Sequence, residues 1–230
     1  MMEKRVDDVL IIFAKAPIPG LAKTRLFPHL TFDEAAELHR AFLMDTVNKA
    51  MSSRRFRVCL AYTPANSLNI FKDLYGGEHM EFMPQHEGDI GERMSRAFSQ
   101  AFENGAGKAA IIGTDIPTLP AHYISAAFKR LDRTDLVVGP SKDGGYYLVA
   151  MKRHTPALFE GIAWSGPEVL KETLKRVRMA GLKAGLMPPL RDVDTFDDLK
   201  GLLGARLPVH THRMVSSLAD RLKAQADWLV

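Results

Sequence analysis

Val9-Leu-Ile-Ile-Phe-Ala14, followed at once by Lys15-Ala-Pro-Ile-Pro-Gly20-Leu-Ala-Lys23-Thr24-Arg25-Leu26, sets the reading of this chain. An apolar run without alternation is the pattern of a strand covered on both faces. Its abrupt end in a proline- and glycine-rich loop carrying Lys15, Lys23 and Arg25 predicts a rigid scaffold handing over to a ligand-facing loop. Prolines restrict that backbone, and Gly20 permits an unusual turn. Ammonium groups and a guanidinium fork can grip phosphates; a solvated basic loop is the competing reading. Leu21 and Ala22 separate Gly20 from Lys23, so this is not a Walker loop, and it lacks the three glycines of a dinucleotide fingerprint.

Outward from this segment, strand and helix patterns alternate. Thr31 with Glu34 makes a capping box for a helix to about residue 53, and 57–62 reads as a second strand. Asn66 is placed as the cap of a short helix ending near Gly76-Gly77, and 81–83 as a short strand. A helix over 91–103 puts Met94, Ala97, Phe98 and Ala101 on one stripe, and Asp89 complements its positive end or reaches a ligand. Further strands are expected at 109–113, 136–138 and 146–151, with helices at 120–131, 167–180 and 196–203. Such alternation predicts an open, largely parallel α/β sheet. The tail from 210 to 230 reads as a helix with Met214, Leu218, Leu222 and Leu229 near one stripe. It either packs on the parent domain or forms a homodimer contact.

At 230 residues, one large domain is the expectation. The single Cys59 excludes a disulfide scaffold and a multi-cysteine metal site, and its strand-like surroundings read as a buried small hydrophobe. A net charge of +4 suits an anionic small molecule, and the scattered basic residues argue against nucleic acid. No early apolar run approaches the ~20 residues needed to span a bilayer. Asp7 and Asp8 spoil any signal-peptide reading, so a soluble, cytoplasmic protein is expected. His210 and His212, flanking Thr211, read as surface histidines.

In open parallel sheets, ligands bind beyond the carboxyl ends of strands. Three more segments fall at such places. Ile112-Gly113-Thr114-Asp115-Ile116-Pro117 puts a carboxylate just past a buried strand, where it either holds a hard cation beside substrate phosphates or caps the helix after it. Ser141-Lys142-Asp143-Gly144-Gly145-Tyr146 is a hairpin signal whose glycines would also let a substrate lie against bare backbone. In Arg191-Asp192-Val193-Asp194-Thr195, Thr195 is a cap with Asp198 three residues on, and Asp194 is the best second metal ligand.

Taken together, Phe13-Ala-Lys-Ala-Pro17, Gly20, Lys23-Thr-Arg-Leu26, Gly113-Thr-Asp-Ile-Pro117, Asp143-Gly-Gly-Tyr-Tyr147 and Asp192-Val-Asp-Thr195 resemble the nucleotide-diphospho-sugar transferase (GT-A-like) superfamily. The nearer resemblance is to a bacterial glycosyltransferase-like family first described as a domain of unknown function (DUF2064), a cousin of molybdenum-cofactor and phospholactate nucleotidyltransferases. It implies a Rossmann-like three-layer α/β/α sandwich with a mostly parallel mixed sheet over residues 1–205, and 206–230 as a helical extension. It implies Mg2+ or Mn2+ held by Asp115, with Asp194 as the second ligand or its support, and Asp115 and Lys23 catalytic. An inverting transfer also needs a base at the acceptor hydroxyl, for which Asp143 is the candidate, a purely hairpin role being the competing reading. Ala14, Lys15, Gly20, Lys23, Arg25, Gly113, Thr114, Gly144 and Gly145 would bind the nucleotide, and Trp164 would wall the acceptor side or pack in the core. The implied activity is metal-dependent glycosyl transfer from a nucleotide-sugar to a small acceptor. Nucleotidyl transfer from a nucleoside triphosphate is the alternative, and a non-catalytic nucleotide-binding module a third. This chain departs from the pattern by having Gly113-Thr-Asp115 where many glycosyltransferases carry Asp-x-Asp, and Lys-Ala-Pro-Ile-Pro-Gly where the nucleotidyltransferases have a glycine-rich loop.

Overall fold

β1 (Asp8–Lys15) runs through the middle of a seven-stranded sheet, paired in parallel with β2 (Phe56–Thr63) on one side and with β4 (Ala109–Ile112) on the other. The computed structural model describes residues 7–27, 29–77, 79–164 and 166–224. From β1 the chain crosses through α1 (Phe32–Met51) to β2, and through α2 (Leu68–Tyr75) to β3 (Glu81–Pro84) at the sheet edge. It returns through α3 (Ile90–Glu103) to β4 on the opposite side of β1. Then α4 (Ala121–Arg130) leads to β5 (Leu136–Pro140), which turns back into β6 (Tyr146–Met151). β6 inserts between β4 and β5, antiparallel to both, and α5 (Val169–Met179) leads to β7 (Ala184–Leu186) beside β5. The order β3-β2-β1-β4-β6-β5-β7 is the expected mostly parallel mixed sheet.

Strand periodicity divides the core. Leu10 and Ile12 face α1, α2 and α4 through Leu43, Phe71 and Ile124, whereas Val9 and Ile11 face α3 through Met94, Phe98 and Ala101. Helices therefore cover both faces, and the Val9–Ala14 run of β1 can be apolar throughout. A third cluster joins α1 to α6 (Phe196–Lys200) and α7 (Val209–Ala224), with Leu38, Phe42, Leu199, Leu218 and Leu222 buried. The apolar stripe of α7 is thus covered within the chain; its expected member Leu229 lies outside the described residues. The buried Asp45 of α1 accepts from the His210 and Thr211 N–H groups at 3.2 and 2.7 Å, satisfying donors that a helix start leaves open. Among the described residues no helix is long and apolar enough to cross a membrane.

Capping boxes form as read at Thr31 with Glu34 and at Thr195 with Asp198. Asp89 is also a full cap, with Glu92 returning to its N–H. Two readings need correction, and one strand goes unread. Asn66 caps nothing: it lies within a single 3-10 turn, Ala65–Ser67, that leads into α2. The helix expected over 196–203 stops at Lys200, with Gly201 as its C-cap. β7, only three residues long, carries too little pattern to be seen in the sequence.

Candidate active site

The order of strands reverses between β1 and β4, and ligand clefts of parallel sheets open at such a point beyond the strand ends. Lys15 is the last residue of β1, and Gly113-Thr114-Asp115 leaves β4 immediately beside it. Asp115 is not a helix cap, because Pro120 holds that position in α4. Instead its carbonyl accepts from the Val193 N–H at 2.9 Å, which brings the Asp192-Val193-Asp194 segment against the end of β4.

Lys23 fills the angle between these segments. It is the single non-glycine residue with a left-handed backbone among the described residues, φ 51° and ψ 41°. That conformation costs about 1–2 kcal/mol for an L-residue. It lies at the head of the turn Thr24–Leu26, whose Leu26 is buried. The Lys23 side chain runs inward at 5% exposure, and Nζ reaches the Asp115 carboxylate at 2.5 Å, Asp194 at 3.1 Å and the Val193 carbonyl at 2.6 Å. Burial alone would lower the pKa of this amine; the two carboxylates outweigh it and raise it, so the ammonium is held charged. Burial likewise works to raise the Asp115 carboxyl, but the Lys23 ammonium, with Lys15, reverses that and keeps it ionised. Arg25, largely exposed, stands 3.6 Å from the other Asp194 oxygen.

A cleft of about 560 Å3 opens over these groups. Ala14, Lys15, Lys23 and Arg25 line it from β1 and its loop, Gly113, Thr114 and Asp115 from β4, and Asp194 from the segment before α6. Three further lining residues, His39, Gln85 and Arg93, escape the sequence reading. His39 Nε2 lies 2.9 Å from the Lys15 carbonyl and so is the donor, while Nδ1 is buried without a partner. Burial depresses the His39 pKa, so the imidazole is neutral at pH 7. Gln85 donates to the Ala61 carbonyl at 2.8 Å and accepts from Arg93 at 3.1 Å, which sets a fourth cation into the wall. The signals for these residues are a histidine on an apolar helix face, a glutamine just before the 86–89 loop and an arginine in the first turn of α3.

A second cleft, of about 450 Å3, adjoins the first and shares Arg25, Ile90, Gly113, Asp115 and Asp194 with it. Asp143, Gly145, Tyr146, Tyr147, Trp164 and Asp192 line its far side. Asp143 closes the β5–β6 hairpin: Oδ1 accepts from the Gly145 N–H at 2.9 Å and from the Ser141 hydroxyl. Burial, with Asp143 nearby, pushes the Asp192 carboxyl up to about 6. Trp164 stacks on Phe159 and meets Tyr146 edge-on. Two expected nucleotide contacts line neither cleft. Gly20, at φ +79°, serves a turn, and Gly144, at φ +91°, lies so close to Pro167 that a Cβ would meet its carbonyl oxygen at 2.0 Å. Cys59 is buried in β2, and burial lifts its thiol to about 12.

The donor set admits a divalent ion in one way. Two carboxylates from separate segments converge on one cation, Lys23, and both remain partly exposed, Asp115 at 46% and Asp194 at 34%. Among the described residues no group of three or more histidine, cysteine or acidic side chains forms a metal cage. That fits Mg2+ or Mn2+ of the kind that takes one or two carboxylates and draws its other ligands from water and substrate phosphates.

Sheet order, helical layers and strand-end clefts together define a nucleotide-diphospho-sugar transferase fold. Residues 46–166 match the family model DUF2064, "Uncharacterized protein conserved in bacteria", and the chain belongs to this family. It is similar to a crystal structure from Desulfovibrio desulfuricans G20 named for a proposed nucleotide-diphospho-sugar transferase activity: 30% identity, TM-score 0.87, covering 95% of this chain and 98% of that one. Rv0371c from Mycobacterium tuberculosis H37Rv, solved in complex with manganese, shares the fold at 14% identity and TM-score 0.53, with 87% and 100% covered. The inositol-1-phosphate CTP transferase from T. maritima does so at 13% identity and TM-score 0.54, with 95% and 96% covered. No curated protein matches the chain.

Proposed function

We propose that this protein transfers a glycosyl group from a nucleotide-sugar to a small hydroxyl-bearing acceptor, assisted by Mg2+ or Mn2+. The observation that carries the reading is the meeting of Asp115 and Asp194 on the Lys23 ammonium, at the floor of a cleft whose walls hold Lys15, Arg25 and Arg93. Four cations around one cleft suit a diphosphate, and the partly exposed carboxylates would hold the metal against it. When bound, the metal offsets charge developing on the departing phosphate oxygens. Lys15, Arg25 and Arg93 bind and orient the diphosphate, and Lys23 adds a fixed positive charge beneath it. Gly113 leaves room for the donor at the strand end, where its position is open on the Cβ side.

The acceptor enters the adjoining cleft. Its hydroxyl oxygen bonds to the anomeric carbon as the carbon–oxygen bond to the nucleoside diphosphate breaks. Asp143, in the wall of that cleft, receives the hydroxyl proton; its hairpin bonds use Oδ1, so Oδ2 is the oxygen for this task. A nucleotide-sugar named for the Desulfovibrio protein, the Mn2+ found with Rv0371c and the Rossmann-like strand order all support this reading.

The fold shared with the inositol-1-phosphate CTP transferase supports nucleotidyl transfer as a second reading, in which an acceptor oxygen attacks the α-phosphate of a triphosphate and pyrophosphate leaves. One assay separates them. Purified protein, a panel of nucleotide-sugars and nucleoside triphosphates, Mn2+ and mixed acceptors are combined, and released nucleoside diphosphate and pyrophosphate are both measured. Nucleoside diphosphate supports glycosyl transfer, pyrophosphate the alternative; saturable nucleotide binding with neither product leaves a binding module.

A further inference from the structure

The charges of the two adjoining clefts are opposite. Lys15, Lys23, Arg25 and Arg93 line the larger one against Asp115 and Asp194. The smaller one carries Asp115, Asp143, Asp192 and Asp194, and Arg25 is its sole basic residue among the described residues. Lys23 already answers Asp115 and Asp194, leaving Asp143 and Asp192 as uncompensated acids facing the space. Lys142, the neighbour of Asp143, is exposed and does not line the cleft, and Arg191 lies 3.5 Å from Asp198 instead.

The rest of the wall is aromatic. Tyr147 is buried with its hydroxyl donated to the Pro188 carbonyl at 3.0 Å, and Tyr146 and Trp164 meet at right angles, ring centres 6.3 Å apart. The Trp164 indole N–H is shut off from solvent against Gly91 of α3 and has no hydrogen-bond partner. Ionised carboxylates only accept hydrogen bonds, so they pair with ligand hydroxyls and repel ligand anions. Like charges brought together at a contact surface disfavour binding. Aromatic faces add apolar area for carbon–hydrogen surfaces.

We infer that the acceptor subsite selects a polyhydroxylated, uncharged molecule and discriminates against phosphorylated or carboxylated ones. The inference rests on the proposed reading that this cleft takes the acceptor. It sets this chain apart from the T. maritima relative, whose name gives it a phosphorylated inositol.

The test uses the whole protein, saturated with nucleoside diphosphate and Mg2+ so that added phosphates cannot occupy the larger cleft. The Trp164 indole N–H resonance, identified by its loss in Trp164→Phe, is followed during titration. Matched probes are myo-inositol and its phosphate, glycerol and glycerol phosphate, and methyl glucoside and its phosphate. The uncharged members are expected to shift the resonance at concentrations about tenfold lower, or more, than their phosphates. Asp192→Asn and Asp143→Asn are each expected to narrow that gap. Equal or tighter binding of the phosphates overturns the inference, as does a resonance that no probe moves. Product analysis keeps the two claims apart: pyrophosphate release defeats glycosyl transfer while leaving the preference in the titration standing. Nucleoside diphosphate release with a phosphorylated acceptor as the best substrate defeats the preference alone.

Discussion

The Val193 N–H donates to the Asp115 carbonyl at 2.9 Å, and this one backbone bond ties the segment bearing Asp192 and Asp194 to the loop leaving β4. Residues nearly eighty positions apart thereby face a single point. The Lys23 ammonium sits at that point and bonds the Val193 carbonyl as well as both carboxylates. Site and fold are consequently one construction: β1 delivers Lys15, the strained turn after it delivers Lys23, and β4 delivers Asp115.

Lys23→Met tests what the ammonium does there. The side chain keeps its length and apolar stem, so packing over Phe42 is retained while the charge between Asp115 and Asp194 is lost. Freed of that competitor, the carboxylates are expected to bind Mn2+ about tenfold more tightly, read by electron paramagnetic resonance of the free ion. Turnover is expected to fall about 100-fold or more, because the positive charge beneath the diphosphate is gone. Unchanged Mn2+ affinity would show that the metal and Lys23 do not share these oxygens.

Asp115→Ala separates site from scaffold. The Val193 bond uses the Asp115 main-chain carbonyl, which the substitution leaves in place, and the lost carboxylate is 46% exposed. Far-ultraviolet circular dichroism and the urea midpoint are expected to stay near wild type. Metal-dependent turnover is expected to drop about 100- to 1000-fold. A wild-type rate in this variant would remove Asp115 from the chemistry.

Local sequence signals told most where one residue type answers one local need. The unbroken apolar run of β1, the Thr31–Glu34 box and the hairpin at Asp143 were all legible for that reason. Lys15, Lys23 and Arg25 were visible as cations, but the inward course of Lys23 was not. It depends on a left-handed backbone at a non-glycine residue, stabilised by partners that lie far along the chain. Arg93 was hidden because its place in the wall depends on Gln85, which in turn is anchored to β2 through Ala61. Gly144 shows the reverse. Its small size predicts room for a substrate, whereas its Cβ side is taken by the Pro167 carbonyl.

Gly144→Ala turns that correction into a measurement. At φ +91° a side chain is strained whatever the space, and here the new Cβ would also lie 2.0 Å from the Pro167 oxygen. The expected loss is about 2–4 kcal/mol in urea unfolding. Gly105→Ala is the control: φ is +85°, nothing lies within 4 Å, and only strain of about 1 kcal/mol is expected. Equal losses in the two variants would mean that Pro167 moves aside freely.

Glu34 links α1 to α7 and makes stability depend on pH. Its carboxylate pairs with Arg221, one contact at 2.9 Å, and completes the Thr31 capping box. The Arg221 hydrogen bonds, then the Thr31 N–H, pull its pKa from 4.5 to about 2. A carboxyl with a depressed folded-state pKa contributes fully above its unfolded value, and the contribution fades as pH falls toward the folded one. Glu34→Gln keeps the capping box and removes the charge. Because Arg221 is 41% exposed, solvent screening limits the pair to about 0.5–1 kcal/mol. At pH 7 the variant should therefore melt about 1–4 °C below wild type. The two melting temperatures should converge between pH 4.5 and about 2, the window set by the carboxyl itself. Thermal melts across that range decide the matter: a gap that stays constant down to the acid limit would mean the carboxylate contributes through shape and not through charge.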